Sequence, residues 1–320
     1  MRSEVLLPPA PGVWAALFIL LPMLLPAVVR AQPTPTLAER LGYGPEARLL
    51  IVNGDDVGMS HASNAASIEA MEKGLMTSAT IMVPCPWFPE IAAYARAHPE
   101  ADFGLHLTHT SEWKGYRWGP VAPKTEVPGL VDPQGYLWPS VQEVYAHATP
   151  EEALVEARAQ IEKALAAGID VTHLDSHMGT LHYDPAYHAV YRTLALEYDL
   201  PIRMPGRAVL AERGLEHLRD QLDADGIVSP DHLIFGGPDE GESVEAYWKR
   251  ILRTLQPGVT ELFIHAALAG EEMRHITNSW KTRDTEYRLF TTDPEIRAMI
   301  EEEGIILIGY RELRRLQRGE

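Results

Sequence analysis

Two adjacent carboxylates, Asp55 and Asp56, follow the apolar run Leu49-Leu50-Ile51-Val52. Ionised side by side they repel each other, so they require a cation or a shared proton. Taken alone, the pair serves equally well as the N-cap of a following helix. Histidines recur in similar settings. His106 lies in Gly104-Leu105-His106-Leu107, with His109 soon after it. His173-Leu174-Asp175-Ser176-His177 and Glu261-Leu262-Phe263-Ile264-His265 end two further apolar stretches. A lone histidine in an apolar strand is more often a satisfied core residue than a ligand. Several that converge with an acid can hold a divalent ion, and an Asp/His/His set leaves positions open for water and substrate, the pattern of a hydrolytic centre. Asp175 can orient a neighbouring histidine by accepting its ring N–H, and it is also counted with the substrate-facing residues. His265 is a candidate general acid, with a buried structural histidine as the plain alternative. Such ligands suit zinc or magnesium, and manganese, cobalt and nickel stay open.

These residues need strands that end at one rim. The expected strands are 48–54, 78–83, 102–108, 171–176, 201–204, 232–235, 260–267 and 304–309, several of them near-continuous apolar runs suited to a parallel sheet covered on both faces. Helical patterns fall between them at 61–73, 89–97, 185–198, 243–255 and 293–302. Another helix opens at Thr149-Pro150-Glu151-Glu152, with cap, first-turn proline and capping glutamate, and stops at Gly168. The alternation predicts an α/β fold, a (β/α) barrel or a doubly wound sheet, with acids and histidines at the C-terminal strand ends where such folds keep their sites. Residues 111–148 interrupt the rhythm as a long inserted loop rich in aromatic residues. Trp113, Trp118 and Trp138 in it could stack on sugar rings or simply pack the insert onto the barrel. Arg283 and Glu286, in a polar stretch after His265, either reach the site or, as is commoner, form a surface salt bridge.

The formal net charge of −17 argues against nucleic acid and anionic membranes as partners. The single cysteine, Cys85, excludes an internal disulfide and reads as a buried thiol. Residues 1–31 read as a signal peptide, with an apolar run at 13–29 and cleavage near Ala31, which predicts export. The alternative is a membrane anchor at 13–29. A linker is expected at 32–46 and the catalytic domain at 47–320.

Asn53-Gly54-Asp55-Asp56-Val57-Gly58, Gly74-Leu75-Met76-Thr77-Ser78-Ala79-Thr80, Gly104-Leu105-His106-Leu107-Thr108 and Thr172-His173-Leu174-Asp175-Ser176-His177 come in an order and spacing that resemble the YdjC/ChbG/HpnK family of carbohydrate deacetylases. The likeness extends over about 48–313. It implies a single-domain, irregular (β/α) barrel of the polysaccharide-deacetylase type, a carbohydrate substrate, and hydrolysis of an N-acetyl group from an amino sugar with release of acetate. It further implies one divalent metal held by Asp56, His106 and His177, with Asp55 as catalytic base and His265 matching a further conserved-type histidine. In this sequence Ala266-Ala267 follow His265 where the family usually has Pro-Gly, and Met178-Gly179-Thr180-Leu181 stand where it often has more histidines. Both departures concern substrate contacts and leave the sugar open. The rival readings are another barrel-type metal-dependent hydrolase, acting on a phosphoester or a different amide, and an exported carbohydrate-binding protein on an inactive scaffold. The latter calls for a lost metal or base residue, whereas Asp55, Asp56, His106, His177 and His265 are all present.

Overall fold

The apolar runs bury both faces by pairing side by side. In the computed structural model, which describes Met1, Gly12 and residues 34–320, they form parallel strands β1 (Arg48–Val57), β2 (Ser78–Ile81), β3 (Phe103–Leu107), β4 (Val171–Ser176), β5 (His232–Leu233), β6 (Gly258–Ile264) and β7 (Ile306–Leu307). Their order is β4-β3-β2-β1-β6-β5, and β7 pairs with β1 as well. β6 runs along one edge of β1, so β7 and β2 share the other, β7 at Leu49 and Leu50 and β2 from Asn53 onward. Helices cover the outside, and Pro35–Glu320 forms one compact unit. This is an irregular (β/α) barrel.

Alternation along β1 divides the core. Leu50 and Val52 join the large cluster under the surrounding helices, while Leu49 and Ile51 pack with Val259, Ile308, Tyr310 and Leu313. The helix Tyr310–Arg318 thus plugs the barrel's floor, and Tyr310 rises from it into the interior. The short helix Leu37–Arg40, closed by a capping box on Thr36, buries Leu37 and Ala38 in the same cluster, so the stretch expected as a linker is partly core.

Most expected elements appear within a residue or two. Thr149 caps the helix Pro150–Ala166 with a capping box, and Gly168 follows its end at φ +84°. Several strands come out shorter than expected. Ile306–Leu307 is all that remains of 304–309, and 201–204 contributes one parallel bridge, Leu174↔Ile202. The backbone there still pairs on two sides, since Arg203 N–H donates to the Leu174 carbonyl and Ile202 N–H to that of Val228. The insert at 111–148 is not all loop. It holds a 3₁₀ turn, Pro128–Leu130, and a helix, Val141–His147. Buried Glu156 ties it down by accepting from Val121 N–H and Ala122 N–H, each at 2.9 Å.

Residues 1–31, expected as a signal peptide, lie outside the described residues apart from Met1 and Gly12. Among the described residues no helix is long and apolar enough to cross a membrane.

Gly104 in β3 lies against the His173 ring of β4, and a Cβ built there would come within 2.4 Å of it. His173 is fully buried and stacked on Tyr310, so it cannot give way. Gly104→Ala is expected to cost about 1–3 kcal/mol, the usual penalty of overpacking, measured by urea denaturation. An unchanged midpoint would show that this layer is looser than described.

Candidate functional site

β1 delivers Asp55 and Asp56 to the rim, and the backbone turns between them. Asp56 has φ 62°, a left-handed conformation that costs most L-residues energy but that Asp tolerates better than others. Strict alternation would send adjacent side chains to opposite faces. The turn instead leaves both carboxylates buried within reach of His106 Nε2, Asp55 Oδ2 at 4.0 Å and Asp56 Oδ1 at 3.5 Å.

His106 comes from β3, and His177 from the 3₁₀ turn His177–Gly179 that follows β4. His177 Nδ1 faces Asp56 Oδ1 at 3.5 Å. The three ligand atoms thus converge, all within 4.8 Å of one another. Asp56 Oδ1 is buried and has no hydrogen-bond partner among the described residues. An anionic oxygen left bare beside two imidazole nitrogens fits a divalent cation. Each imidazole is also backed by a carboxylate. His106 Nδ1 meets Asp175 Oδ2 at 2.5 Å and His177 Nε2 meets Glu112 Oε2 at 3.1 Å, the usual support for metal-binding histidines. Burial opposes charge on His177, but the Glu112 and Asp56 carboxylates push it up to about 10. Burial likewise opposes charge on Asp56, and the Arg283 guanidinium and His177 nonetheless hold its carboxyl well below the usual range.

A second group, Asp55, His106 and Asp175, is equally close-set. Its anionic oxygens already have a cation. Arg203 donates to both oxygens of Asp55 at 2.7 and 2.8 Å, and lies 2.6 Å from Asp175 Oδ2 and 2.6 Å from Glu261 Oε1. Burial pushes Glu261 up to about 7 against the pull of Arg203, and Tyr310 OH donates to its other oxygen. The first group is therefore the better cation site.

His265 directly follows β6 and is half-buried, with its backbone N–H donated to Glu286 Oε2 at 2.9 Å. Burial lowers its imidazole below the usual range, with the Asp56 and Asp55 charges opposing. Glu286, pushed up to about 7 by burial, and Arg283, which donates to Asp56 Oδ2 at 2.7 Å, are both buried at the site. The surface salt bridge expected for them is incorrect. They are three residues apart on the helix Trp280–Thr291, so one face carries both inward.

The aromatic residues and Asp175 also need correction. Asp175 is fully buried between His106 and Arg203, where no substrate reaches it. Trp118 is buried, its Nε1–H given to the Thr110 carbonyl. Trp138 stacks on His147 at 4.1 Å and donates to the Gly129 carbonyl, holding the insert together. Trp113 alone of the three touches the site, with the Arg283 guanidinium 5.7 Å from its ring centre. His109 is buried and bonded to the Ala153 carbonyl, with burial lowering it to about 4. Cys85 is buried and free, and burial above all raises its thiol well above the usual range, which fits an inert residue. Arg203 and Glu112 were not anticipated. A lone arginine between Ile202 and Met204, in a chain with several strand-end acids, was the available hint for the first. Nothing in the sequence marks the second.

The family model for YdjC-like protein matches residues 49–302. A carbohydrate deacetylase from Thermus thermophilus is 35% identical over 274 residues, which is 83% of this chain and 94% of the relative. Another from Brevibacillus brevis is 32% identical over 264 residues, 82% of this chain and 99% of the relative. The crystal structure of a proposed cellobiose-phosphate cleavage protein from Enterococcus faecalis superposes with a TM-score of 0.73 at 29% identity, covering 83% of this chain and 99% of that one. The expectation of export, or of an anchor at 13–29, does not hold. The Brevibacillus relative aligns over 99% of its length with 82% of this chain, and no helix among the described residues, which do not include 13–29, is long and apolar enough to cross a membrane.

Removing Arg203 leaves Asp55, Asp175 and Glu261 together without their cation. Arg203→Leu is expected to cost about 3–5 kcal/mol, as when one partner of a buried ion pair is deleted. Urea denaturation measures it, and a loss below about 1 kcal/mol would contradict the role given to Arg203.

Proposed function

Since this chain belongs to the YdjC-like family, we propose that it is a carbohydrate deacetylase, hydrolysing the N-acetyl group of an amino sugar or oligosaccharide to acetate and a free amine. The observation that carries this reading is the bare, buried Asp56 Oδ1 facing His106 Nε2 and His177 Nδ1, with Asp55 beside them. The names of the relatives point to the same chemistry.

Asp56, His106 and His177 would hold one divalent metal, magnesium or zinc. When bound, such an ion supplies Lewis acidity that favours charge building on the acetamide oxygen. The protein's own groups do the rest. Asp55 accepts the proton of the attacking water as its oxygen bonds to the carbonyl carbon. Arg203 grips both Asp55 oxygens and so fixes the direction in which the carboxylate presents its lone pairs. His265, whose charged form the Asp56 and Asp55 carboxylates favour against the effect of burial, gives a proton to the sugar nitrogen as the C–N bond breaks, so that the amine leaves neutral. Glu286 steadies the His265 backbone, and Arg283 holds the second oxygen of Asp56. Trp113, beside Arg283, is the aromatic face on which a sugar ring would rest.

The adjacent aspartates separate the roles. Asp55→Asn is expected to keep metal and lose roughly 10²–10⁴-fold in turnover, the usual contribution of a general base. Asp56→Asn is expected to weaken metal binding first, so that added metal partly restores the rate. Metal content and acetate release from N-acetylated chito-oligosaccharides, followed across a metal titration, measure both. Rescue of Asp55→Asn by metal would mean the roles are exchanged. A metal-loaded enzyme that frees no acetate from any N-acetylated sugar would overturn the deacetylase reading.

A further inference from the structure

A histidine that binds a cation through one ring nitrogen must keep its proton on the other. For His106 the choice is settled deep in the barrel, where Asp175 lies on Nδ1 and leaves Nε2 facing Asp56. His177 presents its opposite nitrogen. Its Nδ1 faces Asp56 Oδ1, and a proton there would sit in the space between the ligands. The atom on its other side is Glu112 Oε2, 3.1 Å from Nε2. An ionised carboxylate can only accept, so it draws the proton to Nε2.

Resting on the metal site proposed above, we propose that Glu112 is a positioning residue that fixes the tautomer and ring orientation of His177 and thereby sets the affinity of the centre for its metal. The carboxylate is held for this task. Ser111, its neighbour, donates its N–H to the Trp138 carbonyl at 2.8 Å, and the Ser111 hydroxyl oxygen accepts from Trp118 N–H at 3.0 Å and from Arg117 Nε–H at 3.3 Å. Thr110 forms a bridge with Trp138, and its hydroxyl contacts Met178, the residue after His177. The insert therefore supplies one of the two carboxylates that orient the metal-facing imidazoles, and its tryptophans serve that placement. The Glu112 side chain retains 22% exposure where Asp175 has none, so this support stands at the mouth of the site.

The test compares wild type, Glu112→Ala and Glu112→Gln. Zinc affinity is measured by competition with a chromophoric chelator, and the ring ¹⁵N shifts of His177 are read in the zinc-loaded protein. Glu112→Ala is expected to bind zinc roughly 10–100-fold more weakly, as when the outer partner of a ligating histidine is lost, and to show a mixture of His177 ring states. Glu112→Gln, whose side-chain carbonyl still accepts from Nε2–H, is expected to recover part of the affinity and the single ring state. The far-UV circular dichroism spectrum of the metal-free protein should be the same in all three. Wild-type zinc affinity and an unchanged His177 pattern in Glu112→Ala would overturn the proposal. A wild type that takes up no zinc would overturn it together with the ligand assignment, whereas one that binds zinc and frees no acetate would sink the deacetylase reading alone.

Discussion

One guanidinium holds the interior together. Asp55, Asp175 and Glu261 reach the barrel axis from β1, β4 and β6, and each is buried beside Arg203. Three carboxylates so close in a low-dielectric interior repel strongly, and full burial of each alone would be prohibitive. Arg203 offsets this with a planar fork of donors that serves several acceptors at once, which a lysine could not do. Glu261, pushed up to about 7, and Tyr310, which donates to it, reduce the remaining negative charge. The network's geometry reaches the reacting groups directly, since Asp55 is the proposed base and Asp175 orients His106. Stability of the barrel and alignment of the site are therefore the same set of contacts.

Around this interior the cation site is assembled from elements far apart in sequence. Asp56 depends on a positive-φ turn at the end of β1, His106 on the body of β3, and His177 on the turn after β4. Arg283 and Glu286 come from the helix Trp280–Thr291 and close the opposite side. The insert after β3 adds Glu112. The strands and the turn directly after β4 thus carry the groups that must meet a cation, while Glu112, Arg283 and Glu286, which adjust them, come from the insert and a helix.

What could be read from the sequence followed from periodicity. Asp55, Asp56, His106 and His177 each end or interrupt an apolar run, and a parallel sheet brings such ends to one rim. The capped helix at Thr149 was legible for the same local reason. Arg203 was not, because an arginine in a short extended stretch looks alike whether it points to solvent or to a pit of acids. Only the surplus of inward carboxylates requires it to point in. Arg283 and Glu286 lie in the polar segment Trp280-Lys281-Thr282-Arg283-Asp284-Thr285-Glu286, where no apolar stripe announces which face is buried. The tryptophans of the insert were read by residue type, and type does not say which of three similar rings is covered. Trp118 and Trp138 are spent on packing, and Trp113 alone reaches Arg283.

The floor of the barrel has a consequence for the order in which the molecule is made. Tyr310 and Leu313 close the interior against Leu49, Ile51 and Val259, and Tyr310 is the donor to Glu261. On a ribosome, the strands that bear Asp55, Asp175 and Glu261 all emerge before that helix does. Until then the acid-lined interior is open to water from below and Glu261 lacks its phenolic partner. A nascent chain halted ahead of Tyr310 would therefore be a barrel without a stopper, with apolar β1 side chains exposed where a chaperone or a protease could find them.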